Sequence, residues 1–207
     1  MIGIIDYGMG NLHSVTKAVE RLGRDCFLSE SPVELAKADK LILPGVGAFR
    51  DGMEELKNRN LVDFIQEWIN EGKPLLGICL GMQLLFDESE ENGSTKGLGI
   101  LPGKVKKFPG GDYKVPHMGW NDLQFKQPSH PILNGLDGGH VYFVHSYFVK
   151  PDRAEILIAA TEYGGEQVTA VAGRNNVWGT QFHPEKSSTV GMTMLKNFID
   201  HHGGERP

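Results

Sequence analysis

Over residues 1–78, strand-length apolar runs alternate with helix-length amphipathic ones, and this narrows the available folds more than any other feature of the chain. IGIID is followed by Asn11 to Leu22, where Leu12, Val15, Val19 and Leu22 share one helical face and Gly23 stands as a C-cap. Next come DCFLS, a short helix opened by Ser31 and Pro32, and KLILP. Two helical stretches, Met53 to Lys57 and Leu61 to Asn70, then lead to the apolar run Pro74 to Ile78. Strands alternating with helices predict an α/β fold with a mostly parallel central sheet flanked by helices. From Gly99 onward the texture shifts to β-like runs punctuated by Gly and Pro (HVYFVHSYFV, EILIAAT, QVTAVAG, NVWGTQF), which predict additional β structure in the second half before a last helix near Val190 to Asp200. No repeat or linker divides the 207 residues, so one domain over 1–207 is expected, and the C-terminal HHGGERP reads as a solvated tail.

Ligands of such sheets bind at the carboxyl ends of the parallel strands. Gly8-Met9-Gly10, Pro44-Gly45-Val46-Gly47 and Cys79 all fall on that edge. Cys79 lies between the strand ending at Ile78 and a run, Leu80 to Phe86, whose near-continuous apolar character predicts a buried helix. Gly77-Ile78-Cys79-Leu80-Gly81 therefore resembles a nucleophile elbow with sulfur in place of oxygen. Small neighbours let strand and helix approach closely, and the helix start directs N–H groups, that of Leu80 first, toward the sulfur and toward any oxyanion formed beside it. A buried structural cysteine is the alternative for the turn taken alone.

A nucleophilic thiol needs a base, and the base needs an orienting group. QFHPE supplies both, because Pro184 biases His183 toward extended backbone, and in extended chain Glu185 faces the same side as His183. The second cysteine, Cys26, lies in a strand-like run and reads as core. Two cysteines make neither a disulfide framework nor a Cys-x-x-Cys metal pair. A net charge of -5 without a basic, aromatic-interleaved patch argues against nucleic acid. No apolar stretch reaches membrane-spanning length and no basic leader precedes IGIID, so a cytoplasmic protein is expected. A dinucleotide site at Gly8-Met9-Gly10 with Glu30 fails because His13 stands where a third small residue is needed.

GICLGMQLLF together with QFHPEKSS is similar to the class I glutamine amidotransferases. DYGMGNLHSV, LPGVGAF, MGWND, HSYF and HPEKSS extend the resemblance over nearly the whole chain, to the branch in which the glutaminase is a separate subunit. The resemblance implies that family's single α/β domain. It implies that Cys79 attacks the side-chain amide of L-glutamine, that His183 moves the protons and that Glu185 orients His183. Oxyanion donors would be Leu80 and the PGVG loop through Val46 or Gly47; Gly47, Gln83, His145, Ser146 and Tyr147 would contact the substrate. It further implies no metal and no organic cofactor. The partner would be a TIM-barrel cyclase, HisF, in a heterodimer, with Met9, Asn11, Trp120, Tyr142 and Lys186 near the shared surface and ammonia path. A core role for Trp120 stays open, as does a cysteine peptidase on the same elbow, which ammonia release would separate.

Overall fold

The computed structural model describes residues 1–201. Residues 202–207 of the expected tail lie outside the described residues, whereas its first residue, His201, packs its ring against Trp178 with centroids 4.9 Å apart. In chain order the elements are β1 (Ile2–Ile5), α1 (Leu12–Arg21), β2 (Cys26–Ser29), α2 (Pro32–Leu35), β3 (Lys40–Leu43), α3 (Phe49–Asn58), α4 (Leu61–Asn70), β4 (Leu75–Ile78) and α5 (Leu80–Leu84). They continue with β5 (Phe86–Ser89), β6 (Thr95–Lys96), β7 (Leu101–Lys107), β8 (His117–Asp122), β9 (Gln124–Phe125), β10 (His140–His145), β11 (Tyr147–Pro151), β12 (Leu157–Tyr163), β13 (Glu166–Arg174), β14 (Val177–Thr180) and α6 (Ser188–Asp200).

Eight strands form the central sheet in the order β2-β1-β3-β4-β14-β13-β12-β9. The first five run parallel and the rest antiparallel, so the sheet is mixed. Alternation along each strand feeds two cores. Leu41, Leu43, Leu75 and Val177 face α2 to α5, whereas Ile2, Ile4, Ile42, Leu76, Ile78 and Trp178 face α1 and α6. Both faces are covered, which is why these strands read as unbroken apolar runs. A four-stranded sheet, β11-β7-β5-β6, extends the first core, and β8 pairs with β10 as a separate antiparallel ribbon. Among the described residues no helix is long and apolar enough to cross a membrane.

Three local expectations need correction. The helix after Cys79 stops at Leu84, and Phe86 opens β5. The carbonyls of Leu84, Leu85 and Phe86 accept instead from the backbone of Leu98, Ile100 and Gly99 at 2.8, 2.9 and 3.2 Å, a competition that local periodicity cannot reveal. Helix α3 begins at Phe49, four residues before Met53, because the Glu91 carboxylate accepts the Phe49 N–H at 2.8 Å and caps the helix from a distant loop. HVYFVHSYFV is two strands in different sheets, divided at Ser146.

Candidate active site

Cys79 has φ 55° and ψ -112°, a left-handed backbone that a side chain adopts at a cost of about 1–3 kcal/mol. Leu80, Met82 and Leu84, all buried just beyond it, each contribute about 1.5–3 kcal/mol by leaving water, so packing outweighs the strain. The turn also depends on Gly81, where a Cβ would run into the Leu43 carbonyl oxygen. The Cys79 N–H donates to the Thr180 carbonyl at 2.8 Å, tying the elbow to β14.

That neighbour delivers His183, the candidate base. Thr180 is in register with Ile78 across the parallel β4–β14 pair, so the residues following both strands emerge at one sheet edge. His183 Nδ1 contacts Glu185 Oε1 at 2.9 Å, and His183 lines the same cleft as Cys79, whose sulfur acts on the ring's charge. Glu185 reaches the imidazole from a single 3-10 turn, Pro184–Lys186, rather than from the extended chain expected. Two donors to the His183 carbonyl wind that turn, the Lys186 N–H at 3.0 Å and the Ser187 hydroxyl at 2.8 Å. Burial pulls the His183 pKa down, but Cys79 and Glu185 push it up, and the balance lies at about 10. The imidazolium is thus the form this pocket favours near neutral pH.

A cleft of about 350 Å³ opens over the sulfur, a volume suited to a small ligand. It is lined by Val46, Gly47, Cys79, Leu80, Gln83, Glu91, Val144, His145, Ser146, Tyr147 and His183. All the residues expected to bind substrate or an oxyanion therefore meet at one place. The expected donor geometry needs correction, however: the Leu80 N–H already donates to the Gly45 carbonyl at 3.4 Å, so it does not point free into the cleft. Gly45 comes this close because it lacks a side chain; a Cβ there would lie 2.8 Å from both Gly81 N and Leu80 Cβ.

His145 Nδ1 contacts the Tyr147 carbonyl at 2.7 Å, its Nε2 meets His117 Nδ1 at 3.0 Å, and His117 Nε2 lies 2.8 Å from Asn121 Oδ1. Burial lowers both pKa values, that of His145 to about 3, so both rings are neutral. Two ring protons cannot serve a chain that ends on two acceptors. It closes when the Asn121 amide turns its NH₂ toward His117.

Of the residues expected near a partner, Met9 abuts Gly47, where a Cβ would lie 2.8 Å from Met9 Cε. Asn11 caps α1 by accepting the Ser14 N–H at 3.4 Å, and Lys186 sits in the 3-10 turn after His183. Trp120 is 52% exposed and packs on Tyr142 at 5.8 Å between centroids, which excludes a core role. Three residues of the site escaped the sequence reading. Glu91 arrives from a loop with no motif. The buried Tyr7 hydroxyl has no partner and its pKa is raised by burial and by Cys79. Gln181 contacts the sulfur and shares the period-2 spacing that singles out His183.

The sequence profile of "Glutamine amidotransferase class-I" matches residues 3–201. A Halalkalibacterium halodurans protein, "Imidazole glycerol phosphate synthase subunit HisH", is 62% identical over 96% of this chain and 94% of its own. The Bacillus subtilis protein of the same name is 54% identical over 96% and 95%. Two solved structures, "Crystal structure of glutamine amidotransferase" and "Structure of PurLQS from Thermotoga maritima", each superpose with a TM-score of 0.76 over 96% of this chain and 97% of theirs. At 20% and 17% identity they bear on the fold alone.

Proposed function

Since the chain belongs to the class I glutamine amidotransferase family, we propose that it is the glutaminase subunit of imidazole glycerol phosphate synthase, one domain over residues 1–207. The observation that carries the proposal is the Cys79–His183–Glu185 array, seated at the carboxyl edge of a parallel sheet beneath a cleft of substrate size. Cys79 Sγ, its proton held by His183, bonds to the side-chain amide carbon of glutamine, and the carbonyl electron pair moves onto oxygen. Collapse expels the amide nitrogen, which takes the proton from His183 and leaves as ammonia. Water, deprotonated by His183, then attacks the glutamyl thioester; the C–S bond breaks and glutamate departs. The sum is glutamine plus water giving glutamate plus ammonia. Glu185 holds His183 Nδ1–H throughout and keeps Nε2 on the sulfur.

The negative oxygen needs donors, each worth about 10²–10³ in rate. Supplying Leu80 requires that the Gly45–Val46 peptide turn its carbonyl aside, and the same rotation swings the Val46 N–H toward the cleft. The resting hydrogen bond thus restrains activity until something favours the rotated peptide. Glu91 spends one carboxylate oxygen on Phe49 and has the other for the substrate α-ammonium, and the backbone at Ser146 and Tyr147 meets its carboxylate.

Ammonia protonates near neutral pH and is useful only if delivered directly. The acceptor is the HisF cyclase, which converts its ribulosyl phosphate substrate to imidazole glycerol phosphate and an aminoimidazole carboxamide ribotide in histidine biosynthesis. An exposed apolar face supports this docking: Met118, Trp120 and Val144 project from the β8–β10 ribbon, and Val144 reaches the cleft itself. Asn11 and Lys186 flank the path. The two unpaired cysteines suit the reducing cytoplasm. The test is the complex carrying Cys79→Ala. It should make no product from glutamine yet make it from ammonium salt at alkaline pH. Equal loss with both nitrogen sources in an assembled complex would overturn the division of labour.

A further inference from the structure

The register that places His183 beside Cys79 places Gln181 there too. Gln181 is 1% exposed, and its Nε2 lies 3.8 Å from Cys79 Sγ. An amide can present either its oxygen or its nitrogen, and the choice is fixed two residues away from the sulfur. The Tyr147 carbonyl can only accept, so Gln83, which contacts it at 3.0 Å, must face it with NH₂. The second N–H of that NH₂ goes to Gln181 Oε1, also at 3.0 Å. Gln181 then has its oxygen pinned on Gln83 and its NH₂ turned to the sulfur.

We infer that Gln181 is a catalytic hydrogen-bond donor to Cys79, held in its donating orientation by the Tyr147–Gln83 relay. This rests on Cys79 being the nucleophile. The sulfur anion then has Gln181 as a donor in addition to the charge of the His183 imidazolium. Because an N–H bond to a charged partner is stronger than one to a neutral thiol, Gln181 favours the anion over the protonated form. The relay has a second effect: both Gln83 N–H groups are occupied, so Gln83 meets the substrate with its carbonyl oxygen only. A substrate N–H pulling on that oxygen strengthens the same chain that ends at the sulfur.

The experiment measures alkylation by iodoacetamide from pH 6 to 10 in the full chain carrying Cys26→Ala, so that only Cys79 reports. Gln181→Met fills the same space without a donor and should slow alkylation near neutral pH by about tenfold, with the deficit shrinking toward alkaline pH. A merely structural role would lower the rate evenly at all pH values or alter folding instead. Should Gln181→Met not fold, Gln181→Glu keeps an oxygen for Gln83 while facing the sulfur with an acceptor, and should slow the reaction further. An unchanged rate profile in whichever folded variant is measured overturns the inference, while glutamine turnover that survives Cys79→Ala would instead overturn the nucleophile on which it rests.

Discussion

At Glu185 the whole carboxylate is out of water, yet only one oxygen works: Oε1 holds His183, and Oε2 has no hydrogen-bond partner. Glu185→Gln keeps an oxygen for the imidazole but removes the charge that favours its protonated form. We expect a folded protein whose glutamine turnover in the complex falls roughly 10–100-fold, measured as glutamate release. Undiminished turnover would show that orientation alone matters. Cys26→Ala should leave turnover unchanged, since that sulfur packs against the second core and lies 4.0 Å from the Thr16 carbonyl. Cys79, His183 and Glu185 were legible in the sequence because each sits in a short local motif whose chemistry restricts residue choice. Gln181 was legible in principle from its spacing. Glu91 and Tyr7 were not, because distant segments bring them in and nothing beside them in the chain marks the purpose.

Among the elements, the elbow is the one that a single methyl group would break. Gly81→Ala would drive a Cβ into the Leu43 carbonyl, a backbone atom that cannot swing aside. A loss of more than about 2 kcal/mol is expected in urea denaturation, because β3 or α5 must shift. A smaller loss would mean that the strand yields without cost. The βα alternation of the first half was readable because each strand is buried on both faces and each amphipathic helix on one. Where α5 ends was not. Its last carbonyls are claimed by residues 98–101, and a run of Leu, Leu and Phe has the same appearance whether it continues a helix or enters a strand.

For the whole molecule, stability should peak near pH 6.5. His145 and His130 have pKa values lowered by burial to about 3 and about 4, so the unfolded chain binds protons that the native one refuses, and stability is lost as pH falls below about 6.5. His183, at about 10, has the opposite sign: its contribution is complete below about 6.5 and is lost as pH rises through 10. Urea midpoints from pH 4 to 10 should trace this dome, and His145→Gln should flatten the acid limb, where each excluded proton accounts for up to about 1.4 kcal/mol per pH unit. An acid limb unchanged by that substitution would remove His145 as its cause. The position of β14 between β4 and β13 has a further consequence during synthesis. The ribosome makes the cysteine strand about a hundred residues before the histidine strand that must lie against it. A copy halted before Val177 lacks both sheet closure and His183, the base in the proposed mechanism; β4 stays an open, apolar edge that chaperones and proteases recognise. In the proposed mechanism unfinished chains are therefore chemically silent, and glutamine hydrolysis is possible only in copies that have nearly left the ribosome.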